Sequence, residues 1–114
     1  MKFLLTYQGD RSQPPTPEKM AAIAAFGEEM TKKGVLIMQG GLVRPRSGIQ
    51  LKLEQGKFSV TDGPFAETKE LIDGFALVRV ASKAEAIELS ERFMRIAGDG
   101  EAEVLQVFDG DDES

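Results

Sequence analysis

The 114-residue sequence predicts an α+β fold, with two helices on one face of an antiparallel sheet. Three observations carry this. Two amphipathic helical patterns are each opened by a capping residue and closed by a glycine. Short apolar runs flank them in the order strand, helix, strand, strand, helix, strand. A run of strict apolar/polar alternation, folded on itself about Gln55-Gly56, lies between the second and third of those strands.

Phe3-Leu4-Leu5-Thr6-Tyr7 reads as the first strand, buried on both faces at Leu4 and Leu5 and closed by Gly9-Asp10. Residues 8–16 hold Gly9, Ser12, Pro14 and Pro15 and read as a loop. Thr16-Pro17-Glu18 opens a helix over 17–33. Thr16 can cap, Pro17 lacks the N–H that would go unpaired at the first helical position, and Glu18 suits the positive end of the helix dipole. Met20, Ile23, Gly27 and Met30, with Phe26 beside them, form its buried face. Glu28 and Glu29 stand four residues before Lys32 and Lys33 on the outside, and Gly34 ends the helix.

Val35-Leu36-Ile37-Met38 is the second strand, broken or bulged at Gln39-Gly40-Gly41. Ile49, Leu51 and Leu53, then Phe58 and Val60, alternate with polar residues around the Gln55-Gly56 turn. They predict a half-exposed hairpin with one wet face. Gly74 to Val80 is the central strand. Ser82 and Glu85 form a capping box for a second helix, whose buried face is Ala86, Leu89, Phe93 and Ile96 and which stops at Gly98. Val104 to Phe108 is the last strand.

Without its hairpin this is βαββαβ, the split arrangement of ferredoxin-like folds. A single domain is expected over 1–108, followed by an acidic tail over 109–114. With both helices on one sheet face, the other face needs a cover. Leu4 with Phe3, Val35 to Met38, and Val78 with Val80 are too apolar to face water, so a second copy is expected there as a two-fold homodimer.

Composition closes off most chemistry. The chain has no cysteine and no histidine. Disulfides, thiolate nucleophiles, serine–histidine–aspartate triads and zinc sites built on sulfur or imidazole are therefore impossible within one chain. No metal site and no cofactor motif is expected: neither a Gly-x-Gly-x-x-Gly nor a P-loop is present. Acid–base work would fall to Asp, Glu, Lys or Tyr7. The net charge of -5 sits at the C-terminal end, where residues 99–114 hold seven acids and no Lys or Arg. That block reads as a solvated tail. No basic cluster interleaved with aromatics predicts direct nucleic-acid binding. No apolar run is long enough to span a bilayer, and no secretory signal pattern opens the chain, so a cytoplasmic location is expected.

The loop Asp62-Gly63-Pro64-Phe65-Ala66-Glu67-Thr68-Lys69-Glu70 lies between the hairpin and the central strand. Asp62 and Gly63 are turn residues, and Phe65 would peg the loop to the core. Glu67, Thr68, Lys69 and Glu70 then offer carboxylate, hydroxyl and ammonium groups in one short stretch. One reading is a rigid turn with a solvated charged rim. The other is a pocket floor carrying an acid–base carboxylate.

This nine-residue run, followed by Gly74-Phe75, resembles the signature of DGPF proteins, a branch of the YCII-related family. The similarity extends to Met1-Lys2-Phe3-Leu4-Leu5, Pro17-Glu18, Gly34-Val35-Leu36 and Gly40-Gly41-Leu42. The resemblance implies a dimeric α/β-barrel in which two sheets face each other. It also implies a bacterial protein, in a setting often linked to extracytoplasmic-function sigma factors. It supplies no established reaction. The histidine–aspartate pair of the YCII branch has no counterpart, because the chain lacks histidine.

Two functions of different class follow. The first is a binding or regulatory module that holds a small ligand or a partner at a dimer cleft, in association with a sigma-factor circuit. The second is a cofactor-free lyase or isomerase. Asp62 or Glu67 would then move a proton, while Lys69 or Arg44 stabilises negative charge. Tyr7 would supply a donor in that site, and its plainer reading is a core-edge tyrosine with its hydroxyl in water. Arg44 has a plain reading as a surface arginine.

Overall fold

The computed structural model describes residues 1–9, 16–42, 49–62 and 73–110. The chain forms eight elements: β1 (Lys2–Gly9), α1 (Pro17–Lys32), β2 (Leu36–Gly41), β3 (Ile49–Glu54), β4 (Lys57–Asp62), β5 (Gly74–Arg79), α2 (Lys83–Ala97) and β6 (Gly100–Val107). They group into two compact units, Met1–Gly41 with Ile72–Ser114, and Leu42–Leu71.

The first unit is a four-stranded sheet in the order β2-β5-β1-β6, every pair antiparallel. With the hairpin set aside, this is the strand order of a ferredoxin-like βαββαβ fold. Register assigns the faces. Phe3 lies opposite Val78 on one side and Gln106 on the other, and Leu5 lies between Ala76 and Val104. These residues share a face because cross-strand partners point the same way. That face carries the core of Phe3, Val78, Val80 and Ala86, with Leu5, Leu36, Ala76, Leu89 and Val104 packed against it. The buried anchor of β1 is thus Phe3, at 1% exposure, rather than Leu4 and Leu5, which fall on opposite faces and stay partly open.

Both helices begin as their sequences dictate. The Thr16 hydroxyl accepts from the Lys19 N–H at 3.1 Å. The Ser82 hydroxyl accepts from the Glu85 N–H at 3.2 Å, while the Glu85 carboxylate reaches back to the Ala81 N–H at 2.8 Å, one residue beyond the expected box partner Ser82. Lys32 and Lys33 pair with Glu28 and Glu29, each at 3.2 Å. On α1, Gly27 and Met30 are buried, whereas Met20 is open. The helices meet through Arg92, which lies 4.8 Å from the Phe26 ring centroid and 3.3 Å from the Glu29 carboxylate.

Two strands differ from expectation for reasons of pairing. β2 continues through Gly40 and Gly41, which pair with Phe75 and Gly74, and its irregularity lies earlier, between Leu36 and Met38. β6 starts at Gly100, because its whole length pairs with β1.

The second unit is the β3–β4 hairpin. Gln55 and Gly56 both take positive φ, 49° and 78°, as a type I′ turn requires. Leu51 faces Val60, Leu53 faces Phe58, and Ile49 stands opposite Asp62. Its apolar residues therefore form one stripe. That stripe is also exposed, so both faces of the hairpin are open where one was expected to be wet.

Candidate functional site

One end of the four-stranded sheet gathers most of the features that could build a site. β1 ends there at Gly9, β2 ends there at Gly41, β5 begins there at Gly74 and β6 at Gly100. The chain leaves the first unit after Gly41 and re-enters it just before Asp73, both at this end.

Backbones approach closely here. A Cβ on Gly74 would stand 3.2 Å from the Gly40 carbonyl, and one on Gly100 would stand 3.0 Å from the Gly9 Cα. Asp73 ties the corner together. Its carboxylate accepts the Gly9 N–H at 2.6 Å, and its own N–H donates to the Tyr7 carbonyl at 2.7 Å. The Tyr7 side chain turns toward α2. Its ring meets Phe93 edge-on at 5.2 Å between centroids, and its hydroxyl donates to the Gly98 carbonyl at 2.8 Å, with the Asp99 carbonyl at 3.1 Å. The hydroxyl expected in water thus joins the end of β1 to the end of α2, where the helix leaves unpaired carbonyls.

Of the residues singled out from sequence, Tyr7 lies in this corner. Asp62 lies at the end of β4, in register with Ile49. Arg44, Phe65, Glu67 and Lys69 lie outside the described residues. Asp73 was not anticipated. Its signal was present as an Asp-Gly pair ahead of the central strand, a turn dipeptide whose carboxylate commonly accepts a nearby backbone N–H.

The helix-free face of the sheet borders the same corner. Met38, Leu77, Leu4 and Leu105 stand in register across all four strands on that face. Met38 and Leu105 are 53% and 45% exposed. The next row toward the corner is Gly40, Phe75, Thr6 and Glu103, with the Phe75 ring lying over Gly40. On the far side lie Arg79 and Lys2, and Arg79 pairs with the nearly buried Asp109 at 3.3 Å. Phe3, Val78 and Val80, expected to need a cover, are instead covered by the helices. The residues that lack a helix over them are those on the alternate positions.

Among the described residues no group of three or more acids is placed to hold a metal ion. Nor is any described helix long and apolar enough to cross a membrane. An ionisable shift lies at the helix pair. Lys33 and then Arg92, both hydrogen-bonded to Glu29, hold its carboxyl below the usual value.

The strand order, the two helices on one face and the inserted hairpin define a ferredoxin-like α+β protein. The chain belongs to the YCII-related family, whose domain model matches residues 1–110. It is also similar to an uncharacterised protein of Rhizobium meliloti, at 35% identity over 71 residues. That match spans 62% of this chain and 57% of the relative's length.

Proposed function

We propose that this YCII-related protein, of the DGPF branch, is a bacterial, cytoplasmic ligand-binding module that works as a homodimer. Two copies bury their helix-free sheet faces against each other and hold a small molecule at the cleft. The observation that carries this reading is the row Met38, Leu77, Leu4 and Leu105, apolar across every strand with neither described helix over it. A sheet is stable when each apolar face is packed against another layer. A two-fold partner supplies that layer with the same surface.

The ligand contacts proposed are Arg44, Phe65 and Lys69, with the Asp62 and Glu67 carboxylates orienting the molecule. A residue set with two cations and an aromatic ring favours a small aromatic or aliphatic carboxylate. Tyr7 enters as a support for the end of β1. Its hydroxyl donates to a backbone carbonyl and the Asp73 carboxylate accepts a backbone N–H, so both support the frame of the corner. The regulatory setting, association with an extracytoplasmic-function sigma factor, is proposed on the family resemblance alone.

Sedimentation tests the assembly. The wild type should be a dimer at micromolar concentration, and Met38→Lys with Leu105→Lys should be a folded monomer. A monomeric wild type would remove the reading. A thermal-shift panel of small carboxylates and phenols tests the ligand. A hit should raise the Tm of the wild type and leave Arg44→Ala with Lys69→Ala unmoved.

A further inference from the structure

The hairpin carries an apolar face of its own. Ile49, Leu51, Leu53, Phe58 and Val60 are 64%, 66%, 58%, 74% and 62% exposed. Strand register puts them on one face: Leu51 stands beside Val60 and Leu53 beside Phe58, with Ile49 completing the stripe. Their neighbours Gln50, Lys52, Glu54, Lys57, Ser59 and Thr61 take the other face, where Lys52 and Glu54 pair at 3.0 Å. The polar face is thus already suited to water, and the apolar one is not. A two-stranded hairpin alone in water is marginal at best. The type I′ turn fixes its register without giving its apolar face anything to pack against.

We propose that this stripe is a second self-association surface, covered in solution by another copy of the same chain. Area argues for it. At roughly 100 Å² of exposed surface per large apolar side chain, the stripe offers about 500 Å², at the upper end of what a monomer leaves open. Two copies together would bury about 1,000 Å², the size at which a contact passes from incidental packing to a specific interface. Chemistry argues for it too. Five adjacent apolar positions without a charge among them are complementary to themselves, which an isologous contact requires. A stripe shaped for one foreign partner would be expected to carry a polar or charged key for selection. The inference adds a surface to the homodimer proposed above and is read out separately from it.

The absence of native cysteine makes the test direct, because one introduced thiol reports one site. Leu51→Cys would be alkylated over a range of protein concentrations, with Lys52→Cys reporting the opposite face and Met38→Cys the sheet. The expected result is that Leu51→Cys is protected at least tenfold as concentration rises through the dimer transition, while Lys52→Cys stays fast. Leu51→Lys with Val60→Lys, both at exposed positions, should raise the dissociation constant of the dimer at least tenfold. Fast labelling of Leu51→Cys at every concentration overturns the proposal. So does protection at every concentration combined with an unchanged dissociation constant in the double-lysine variant, which would mean the chain's own residues cover the stripe. Protection at every concentration with a raised constant supports it, as a dimer too tight to dilute apart. Loss of protection at Met38→Cys alone would remove the sheet-face dimer and leave the hairpin contact standing.

Discussion

The four-stranded unit and the hairpin unit are built from the same kind of strand and differ in what lies over their apolar faces. In the first, Phe3 is 1% exposed and sits beneath Ala86 of α2 in a shared core. In the second, Phe58 is 74% exposed although its cross-strand partner is an equally apolar Leu53. Alternation in sequence decides which residues share a face. Whether that face is covered depends on what the chain or a second copy brings to it.

The widest separation between the two units is expected from truncating these two rings. Phe3→Ala should cost about 3–5 kcal/mol in chemical denaturation, because a fully enclosed ring leaves a cavity. Phe58→Ala, measured where the protein is dilute, should change stability by no more than about 0.5 kcal/mol. A loss above about 2 kcal/mol that does not vary with concentration would show that the hairpin packs on its own chain, and the contrast would fail. Next in size is Gly40→Ala. A Cβ there would meet the Phe75 ring at 2.9 Å, so the ring or the strand must shift, at about 1–3 kcal/mol. Gly56→Ala in the hairpin turn meets nothing within 4 Å, and its cost comes from the positive φ of 78° alone.

Tyr7→Phe keeps the ring contact with Phe93 and removes the hydrogen bond to the Gly98 carbonyl. It should lower stability by about 1 kcal/mol without altering the helix content read by circular dichroism. The smallest effect is electrostatic. Glu29 titrates below its ordinary 4.5 because Lys33 and Arg92 favour the ionised form in the folded chain. A lowered folded value means a contribution present above the unfolded value and lost as pH falls through the folded one. Wild type and Glu29→Gln should therefore differ slightly above pH 4.5 and converge below it. A difference that grows on acidification would reverse the assignment.

The order of elements was legible because local chemistry marks it. Thr16 and Pro17 start α1, Ser82 starts α2, and Gln55-Gly56 turns the hairpin. The faces were less legible. Phe3 and Leu4 are adjacent in an apolar run, so periodicity could not say which belongs under the helices until register with Val78 and Leu77 did. The corner at Tyr7 was half legible. The residue was picked out as a donor, yet its acceptor is a backbone carbonyl at the end of α2, 91 residues away, which no local pattern encodes. Asp73 was not legible as a corner residue, because a lone acid before a strand looks like turn punctuation. Its role depends on Gly9, 64 residues distant.

The two edges of the sheet carry one more consequence. β2 is irregular between Leu36 and Met38, which spoils it as a template for another strand. β6 is regular over its eight residues, and Glu101 and Glu103 are both exposed on it, so a second acidic edge laid alongside would be repelled. Strand-by-strand growth is therefore discouraged at both margins. Contacts through the sheet face and the hairpin stripe, if two-fold, use up the surface that makes them. When one two-fold axis serves both contacts, crowding such a chain stops at a closed pair; two separate axes would leave each pair a free surface to which further copies add.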